Sequence, residues 1–257
     1  MKYRYPLLLF IPLVSCDRGW TPPVNPDPSL ILDEAQSDYD KSRYDEALRK
    51  HIWFHENALK YKTSLYGVRL SFALGYWHRL GEAYPPAMVE LKRMRDETRE
   101  KILAGERVRD LFHDFSSINR VLSEDSLTAN LFRELDHKNP EVAKEVFTVA
   151  STSLVLVKDY DLYAKYIDSD SQARSMIEMF QRNLILAKDS TFSNDHRETI
   201  TQHFSNQATT MISILSLSNR QAEARKVAEE FIEVYPDSTF MALIDSALLG
   251  KVPEPWP

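Results

Sequence analysis

The stretch from Ser29 to Lys60 reads SLILDEAQSDYDKSRYDEALRKHIWFHENALK and contains two helical patterns separated by a short polar break. Apolar residues recur at helical spacing in both halves, at Leu30, Ile31, Ala35, Tyr39, Tyr44, Ala47, Leu48, Ile52, Phe54 and Leu59. Because spacings of three and four residues form one face of an α-helix, the stretch predicts two amphipathic helices joined by a turn. Ser42, followed three residues later by Asp45, fits a capping box at the start of the second helix.

Similar patterns continue along the rest of the chain. We predict helices over 29–40, 44–60, 64–80, 85–104, 107–121, 125–135, 140–157, 160–167, 171–188, 194–217, 220–234 and 238–249. Asn139 and Pro140 are typical of a helix start, and Gly250 of a helix end. Only 6 of the 257 residues are glycine, and none fits a glycine-rich nucleotide-binding loop. The sequence therefore predicts an all-α fold.

Small residues lie twelve positions apart at Ala35 and Ala47, and again at Gly75 and Ala87. A third segment, QAEARKVAEEFIEVYPDS at 221–238, has matching residues at Ala224, Ala228, Phe231 and Pro236. These residues resemble the tetratricopeptide repeat (TPR), in which small side chains let paired helices cross closely. The resemblance covers pieces near 29–61, 66–98 and 205–238. It implies stacked helical hairpins in a right-handed α-solenoid; another all-α bundle is the alternative.

The chain begins with Lys2 and Arg4, followed by the apolar run PLLLFIPLV at 6–14. This order is typical of a secretory signal peptide, and nine residues are too few to span a bilayer. Leu13-Val14-Ser15-Cys16 resembles the bacterial lipobox. The resemblance implies cleavage before Cys16, a diacylglyceryl thioether on its sulfur and acylation of the new N-terminus. An ordinary signal peptide with an incidental cysteine and a short buried helix are the alternatives.

These features divide the chain into a signal peptide over 1–15, a lipidated proline-rich segment over 16–28, a helical domain over 29–250 and a tail over 251–257. Residues 17–28 read DRGWTPPVNPDP, and proline at this density favours an extended conformation. We therefore expect a tether about 30 Å or more in length that holds the domain off the membrane. The alternative is a strap packed on the domain, with Trp20 as its anchor.

The net charge and the residue that follows Cys16 bear on the partners and the location of the protein. Loss of residues 1–15 would change the net charge from −6 to −8, and an acidic exterior argues against nucleic-acid binding. Asp17, directly after Cys16, resembles the inner-membrane retention signal of enterobacterial lipoproteins. We expect a periplasm-facing protein of the bacterial cell envelope, and the choice between inner and outer membrane stays open.

A candidate partner-binding groove follows from the TPR resemblance. Its groove-facing positions correspond here to Gln36, Tyr39, Arg69, Phe72, Tyr76 and Arg79. Tyrosine and arginine dominate binding hot spots, so this set predicts a surface that reads a protein or peptide. Our hypothesis is that Arg69 and Arg79 bind carboxylates of the partner. The alternative, strongest for Phe72, is packing against neighbouring helices.

Signals for catalysis are weak. His51 and His55 lie one helical turn apart and could hold a metal ion, but zincins need glutamate where Ile52 stands. We therefore predict no metal and no cofactor, and a non-catalytic protein-binding or scaffolding module. The layout also resembles the TPR lipoprotein of the outer-membrane β-barrel assembly machinery. An α-helical envelope enzyme or small-ligand-binding protein is the alternative of another class.

Overall fold

The computed structural model describes residues 19–187 and 194–255, and within them the chain is helical, with no strand. The helices are α1 Pro28–Asp40, α2 Tyr44–Tyr61, α3 Tyr66–Leu70, α4 Phe72–Ala83, α5 Pro85–Leu103, α6 Val108–Val121, α7 Asp125–Lys138, α8 Pro140–Leu156, α9 Tyr160–Tyr166, α10 Ser169–Leu186, α11 Asn194–Leu217, α12 Gln221–Val234 and α13 Ser238–Leu248. A short 3-10 helix, Thr63–Leu65, lies between α2 and α3. The prediction of an all-α fold is confirmed.

The helix predicted over 64–80 is interrupted at Ser71. This residue has φ −129° and ψ −92°, outside the helical region, and it separates α3 from α4. Its hydroxyl donates to the carbonyl oxygen of Gly67 at 2.7 Å. Serine side chains compete in this way with the backbone hydrogen bonds of a helix, and glycine is a poor helix former. Apolar periodicity alone does not detect this break.

Several helices end in the same turn, in which one residue adopts a left-handed conformation. The residues in this position are Ser42, Gly105, Ser123, Lys158, Asn219 and Gly250, with φ between 56° and 83°. In each case the next residue donates its N–H to a carbonyl five positions back, as in Schellman motifs. Gly250 thus ends α13 as predicted, and Asn139 caps α8 by accepting a hydrogen bond from the N–H of Val142.

The capping box predicted at Ser42 is wrong. Ser42 has φ 58° and belongs to the turn that ends α1, while Arg43 takes the N-cap position of α2 and makes no side-chain cap hydrogen bond. The arginine instead donates its N–H to the carbonyl of Asp38 at 2.8 Å. Ser42 therefore cannot cap α2, because it occupies the left-handed position of the turn that ends α1.

The chain divides into two compact units, one ending at Leu91 and the other beginning at Lys92, so the boundary falls within α5. In the first unit, α1 and α2 pack as a hairpin with Ala35 and Ala47 fully buried. Helices α4 and α5 approach each other closely at Gly81, where an added Cβ would lie 3.1 Å from the Cα of Met88. Gly75, the expected crossing position, has nothing within 4 Å of such a Cβ.

The second unit has its own apolar core, formed by helices α6 to α13. Phe180 of α10 stacks on Phe204 of α11, with ring centroids 4.1 Å apart. Ala224, Ala228 and Phe231 of α12 are buried. The C-terminal segment lies along α11, because Ser213 donates to the carbonyl of Lys251 at 2.8 Å. Among the described helices, none is both long and apolar enough to cross a membrane.

Candidate functional site

Four of the predicted groove residues meet on the first unit. Gln36 and Tyr39 are three residues apart on α1, and Tyr76 and Arg79 are three apart on α4, so each pair shares a helix face. Arg79 donates from Nη2 to Oε1 of Gln36 at 2.6 Å. Its Cζ lies 4.4 Å from the ring centroid of Tyr39 and 5.8 Å from that of Tyr76. We call these four residues the Tyr–Arg cluster.

Arg79 is exposed, and among the described residues no carboxylate lies within ion-pair distance of it. Its neighbours in the same unit differ, because Arg43 pairs with Asp38 and Arg49 pairs with Asp45. A guanidinium has five N–H donors in a planar fork that matches a carboxylate. Arg79 donates from one of its terminal nitrogens to Gln36, and its other N–H groups have no hydrogen-bond acceptor among the described residues.

A row of tyrosines extends the cluster. The ring of Tyr44, at the start of α2, lies 5.8 Å from that of Tyr39 and 6.0 Å from that of Tyr84, on which it stacks. All three rings are half-buried. Sequence reasoning missed Tyr44 and Tyr84 as site residues. Tyr44 was assigned to the apolar face of its helix, and Tyr84 follows the end of α4. Their shared residue type was the only signal available.

Arg69 does not join the cluster. It is only 9% exposed, its Nε donates to the carbonyl of His55 at 2.6 Å, and its Nη2 lies 3.2 Å from the Nε2 of the same histidine. The break at Ser71 places Arg69 on the short helix α3, which packs on α2. The prediction that Arg69 lines the groove is therefore wrong, because its side chain is buried against His55. Phe72 is 66% exposed at the first position of α4.

The two histidines of α2 pack on one aromatic ring. The imidazole of His51 stacks on Trp77 at 6.1 Å, and that of His55 meets the edge of the same ring at 6.1 Å. Burial, together with the charge of Arg79, lowers the pKa of His51 to about 4, so its ring is neutral at pH 7. Its Nε2 is buried without a hydrogen-bond partner. The described residues contain no group of three or more potential metal ligands.

A cavity of about 310 Å³ lies in the second unit. Its charged lining includes Arg95 and Arg99, which form ion pairs with Glu124 and Glu134, respectively. Because these arginines are already paired with carboxylates, the cavity offers no free charge comparable to that of Arg79.

Cys16, the predicted lipidation site, lies outside the described residues. The first side chain described after it is Trp20, which is half-buried. Its backbone N–H donates to Oε2 of Glu46 at 3.0 Å, and its ring meets the edge of Trp53 at 6.2 Å. Trp20 thus anchors on α2 the segment 19–27, which we call the strap, as the alternative to a free tether predicted. Within the strap, residues 21–25 are exposed.

Comparison of the chain with protein-family models, with curated protein sequences and with solved structures finds no significant match. A proposal about function therefore depends on the residues and contacts themselves.

Proposed function

We propose that the protein is a lipid-anchored, non-catalytic binding module of the bacterial cell envelope, and that its partner docks at the Tyr–Arg cluster. The observation that carries the proposal is Arg79, an exposed guanidinium without a carboxylate partner among the described residues. It is held between two tyrosine rings and oriented by Gln36. Anchoring at Cys16 rests on the lipobox resemblance.

A partner carboxylate would pair with the open side of the Arg79 fork. Such a pair is bidentate, and it is stronger than a hydrogen bond between neutral groups. Because the guanidinium is already fixed by Gln36 and Tyr39, binding would cost little additional side-chain entropy. The half-buried rings of Tyr44 and Tyr84 would cover an apolar side chain next to that carboxylate. The ligand class is thus an acidic protein segment that also carries an apolar residue.

Buried small residues in paired helices support the finer proposal of TPR-like repeats. Ala35 and Ala47 are fully buried in the α1–α2 hairpin, and Ala224 of α12 is fully buried against its neighbours. Small residues at these positions permit the close helix crossing that the repeat requires. Gly75 departs from the pattern, because a side chain there would meet nothing within 4 Å.

The proposal is tested by crosslinked affinity capture of the tagged, full-length protein from envelope fractions. The wild type is compared with Arg79→Glu, with Arg79→Lys and with Arg225→Glu, an exposed arginine of α12 that provides the same change in charge. We expect Arg79→Glu to lose the captured partner and Arg225→Glu to retain it. Because lysine cannot form the bidentate pair, Arg79→Lys should weaken capture by about tenfold or more.

Equal capture by the wild type and by Arg79→Glu would overturn the proposed site. Circular dichroism spectra of all four proteins establish that each variant is folded. A parallel Cys16→Ala variant tests the anchor separately, since we expect it to leave the membrane fraction.

A further inference from the structure

We propose that a second surface of the first unit, the outer face of α2 with the strap over it, lies on the surface of a lipid bilayer. Three aromatic side chains define this aromatic strip: Trp20, Trp53 and Tyr61. The inference rests on the proposed lipid anchor at Cys16, and it concerns residues other than those of the Tyr–Arg cluster.

The aromatic strip is continuous. The ring of Trp53 lies 6.2 Å from that of Trp20 and 5.8 Å from that of Tyr61, on which it stacks. Trp53 and Tyr61 are eight residues apart on α2, which corresponds to about 12 Å along the helix. Tyr61 is 58% exposed, although it sits at the end of a row of packed rings. The three rings thus form one packed row, half-buried at Trp20 and Trp53 and exposed at Tyr61.

Two exposed aliphatic side chains belong to the strap and to the start of α1. Val24 is 97% exposed in the strap, and Leu30 is 60% exposed at the start of α1. Leu30 follows Ser29, whose hydroxyl accepts a hydrogen bond from Nζ of Lys62 at 3.2 Å. This contact places the start of α1 beside the C-terminal end of the strip. Lone exposed apolar residues are common, but these two lie in the same unit as the half-buried Trp20 and Trp53 and the exposed Tyr61.

The strap is fixed at both ends. At Gly19, an added Cβ would lie 2.3 Å from the guanidinium of Arg49, so a side chain there would displace the arginine. Nζ of Lys50 lies 5.6 Å from the ring centroid of Trp20. At the other end, Pro28 begins α1 and Asp27 caps it by accepting the N–H of Ser29 at 2.9 Å. The strap therefore cannot act as a long spacer between the anchor and the domain.

The length of chain before the strap selects the bilayer as the occupant. Only three residues lie between Cys16 and Trp20, and the four steps along the chain reach about 14 Å at most. An anchored Cys16 thus holds Trp20 within reach of the headgroup region, whereas a free tether over 17–28 would reach about 30 Å or more. Tryptophan and tyrosine are the side chains enriched at this depth. Lys60 and Lys62 are exposed at the C-terminal end of the strip, and contact with lipid phosphates would replace the hydrogen bonds that they donate to Asn57 and Ser29.

The test uses the full-length, processed protein reconstituted into vesicles of phosphatidylethanolamine and phosphatidylglycerol, some of which carry bromine near the headgroup end of the acyl chains. Bromine quenches tryptophan fluorescence only at short range. We expect quenching in the wild type, loss of most of it in the double variant Trp20→Phe/Trp53→Phe, and stronger quenching in Tyr61→Trp. Trp77 is 1% exposed in the protein core and should contribute little.

Flotation of the same vesicles reports the anchor independently. A protein that floats without tryptophan quenching would overturn the bilayer contact and leave the anchor intact. A protein that does not float would overturn both the anchor and this inference. Quenching that persists unchanged in the double variant would also overturn it, since another tryptophan would then be the one near lipid. If a protein covers the strip instead, crosslinks from position 61 will reach that protein and bromolipids will not quench.

Discussion

At the scale of single residues, Arg79 is held by neighbours that orient its charge without neutralising it. Gln36 accepts one hydrogen bond, and the rings of Tyr39 and Tyr76 flank the guanidinium. Arginine in this setting keeps its full charge and loses little freedom on binding. The side chain is therefore suited to recognise a carboxylate supplied from outside the protein.

His51 makes the stability of the first unit depend on pH. The pKa of its imidazole is lowered from 6.5 to about 4 by burial and by the charge of Arg79. Between these two values the unfolded chain binds a proton at His51 and the folded chain does not, so stability falls as pH falls. We expect a loss on the order of 3 kcal/mol in the free energy of unfolding between pH 6.5 and pH 4.

Denaturant melts at these pH values measure the effect. The variant His51→Phe, which retains the stack on Trp77, should flatten this part of the stability curve. The control variant His137→Phe, at an exposed position of α7, should leave this part of the stability curve unchanged. Parallel curves for wild type and His51→Phe would contradict the assignment.

At the scale of elements, the turns account for the scarcity of glycine. Ser42, Ser123, Lys158 and Asn219 occupy left-handed positions that glycine would fill without strain. Each such residue costs about 1 kcal/mol relative to glycine. Packing of the helices on either side of each turn must outweigh this backbone strain. The sequence predicted breaks between helices at 41–43, 122–124, 158–159 and 218–219, where these residues lie, but it could not show that they adopt the left-handed conformation, because none of them is glycine.

A matched pair of substitutions tests this explanation. Lys158→Gly, at φ 59°, should raise the free energy of unfolding by about 1 kcal/mol. Lys144→Gly, at an exposed position inside α8, should lower it by about 1 kcal/mol. Thermal melts measure both effects. If the left-handed turn is strained, the melting temperature rises in Lys158→Gly and falls in Lys144→Gly. If it is not strained, the melting temperature falls in both variants.

The α1–α2 hairpin is held by a buried ion pair as well as by apolar packing. Nζ of Lys50 lies 2.7 Å from Oδ2 of Asp38, and both side chains are less than 10% exposed. Burial raises the pKa of Asp38, but the hydrogen bonds and charges of Lys50 and Arg43 outweigh it and hold the pKa below 3.8. The contribution of Asp38 to stability is therefore present above that pH and is lost as pH falls through the lower folded value.

Removal of one partner should be costly. Asp38→Asn leaves the ammonium of Lys50 buried with only Glu34, and we expect a loss of about 3 kcal/mol at pH 7. Asp45→Asn breaks the exposed pair with Arg49 and should cost less than about 0.5 kcal/mol. Urea unfolding of both variants checks the difference. Equal small losses would show that the buried pair adds little.

At the scale of the whole molecule, the helices were predictable and some of their contacts were not. Apolar periodicity located the long helices because each buries one face, as Ala35, Ala47 and Phe231 show. It could not reveal that Arg69 turns inward to His55, because a charged residue on α3 gives no sign of its partner. The cluster around Arg79 was predictable from repeat positions, whereas Tyr44 and Tyr84 join it only through the fold.

The most direct measurement of the central claim is a photo-crosslinking experiment in intact cells. Tyr84, beside the Tyr–Arg cluster, is replaced by p-benzoylphenylalanine, and so is Leu249, which is 77% exposed in the second unit. We predict one dominant protein adduct from position 84 that disappears when Arg79→Glu is added, and no such adduct from position 249. An adduct from position 84 that survives Arg79→Glu unchanged would contradict the claim that Arg79 holds the partner.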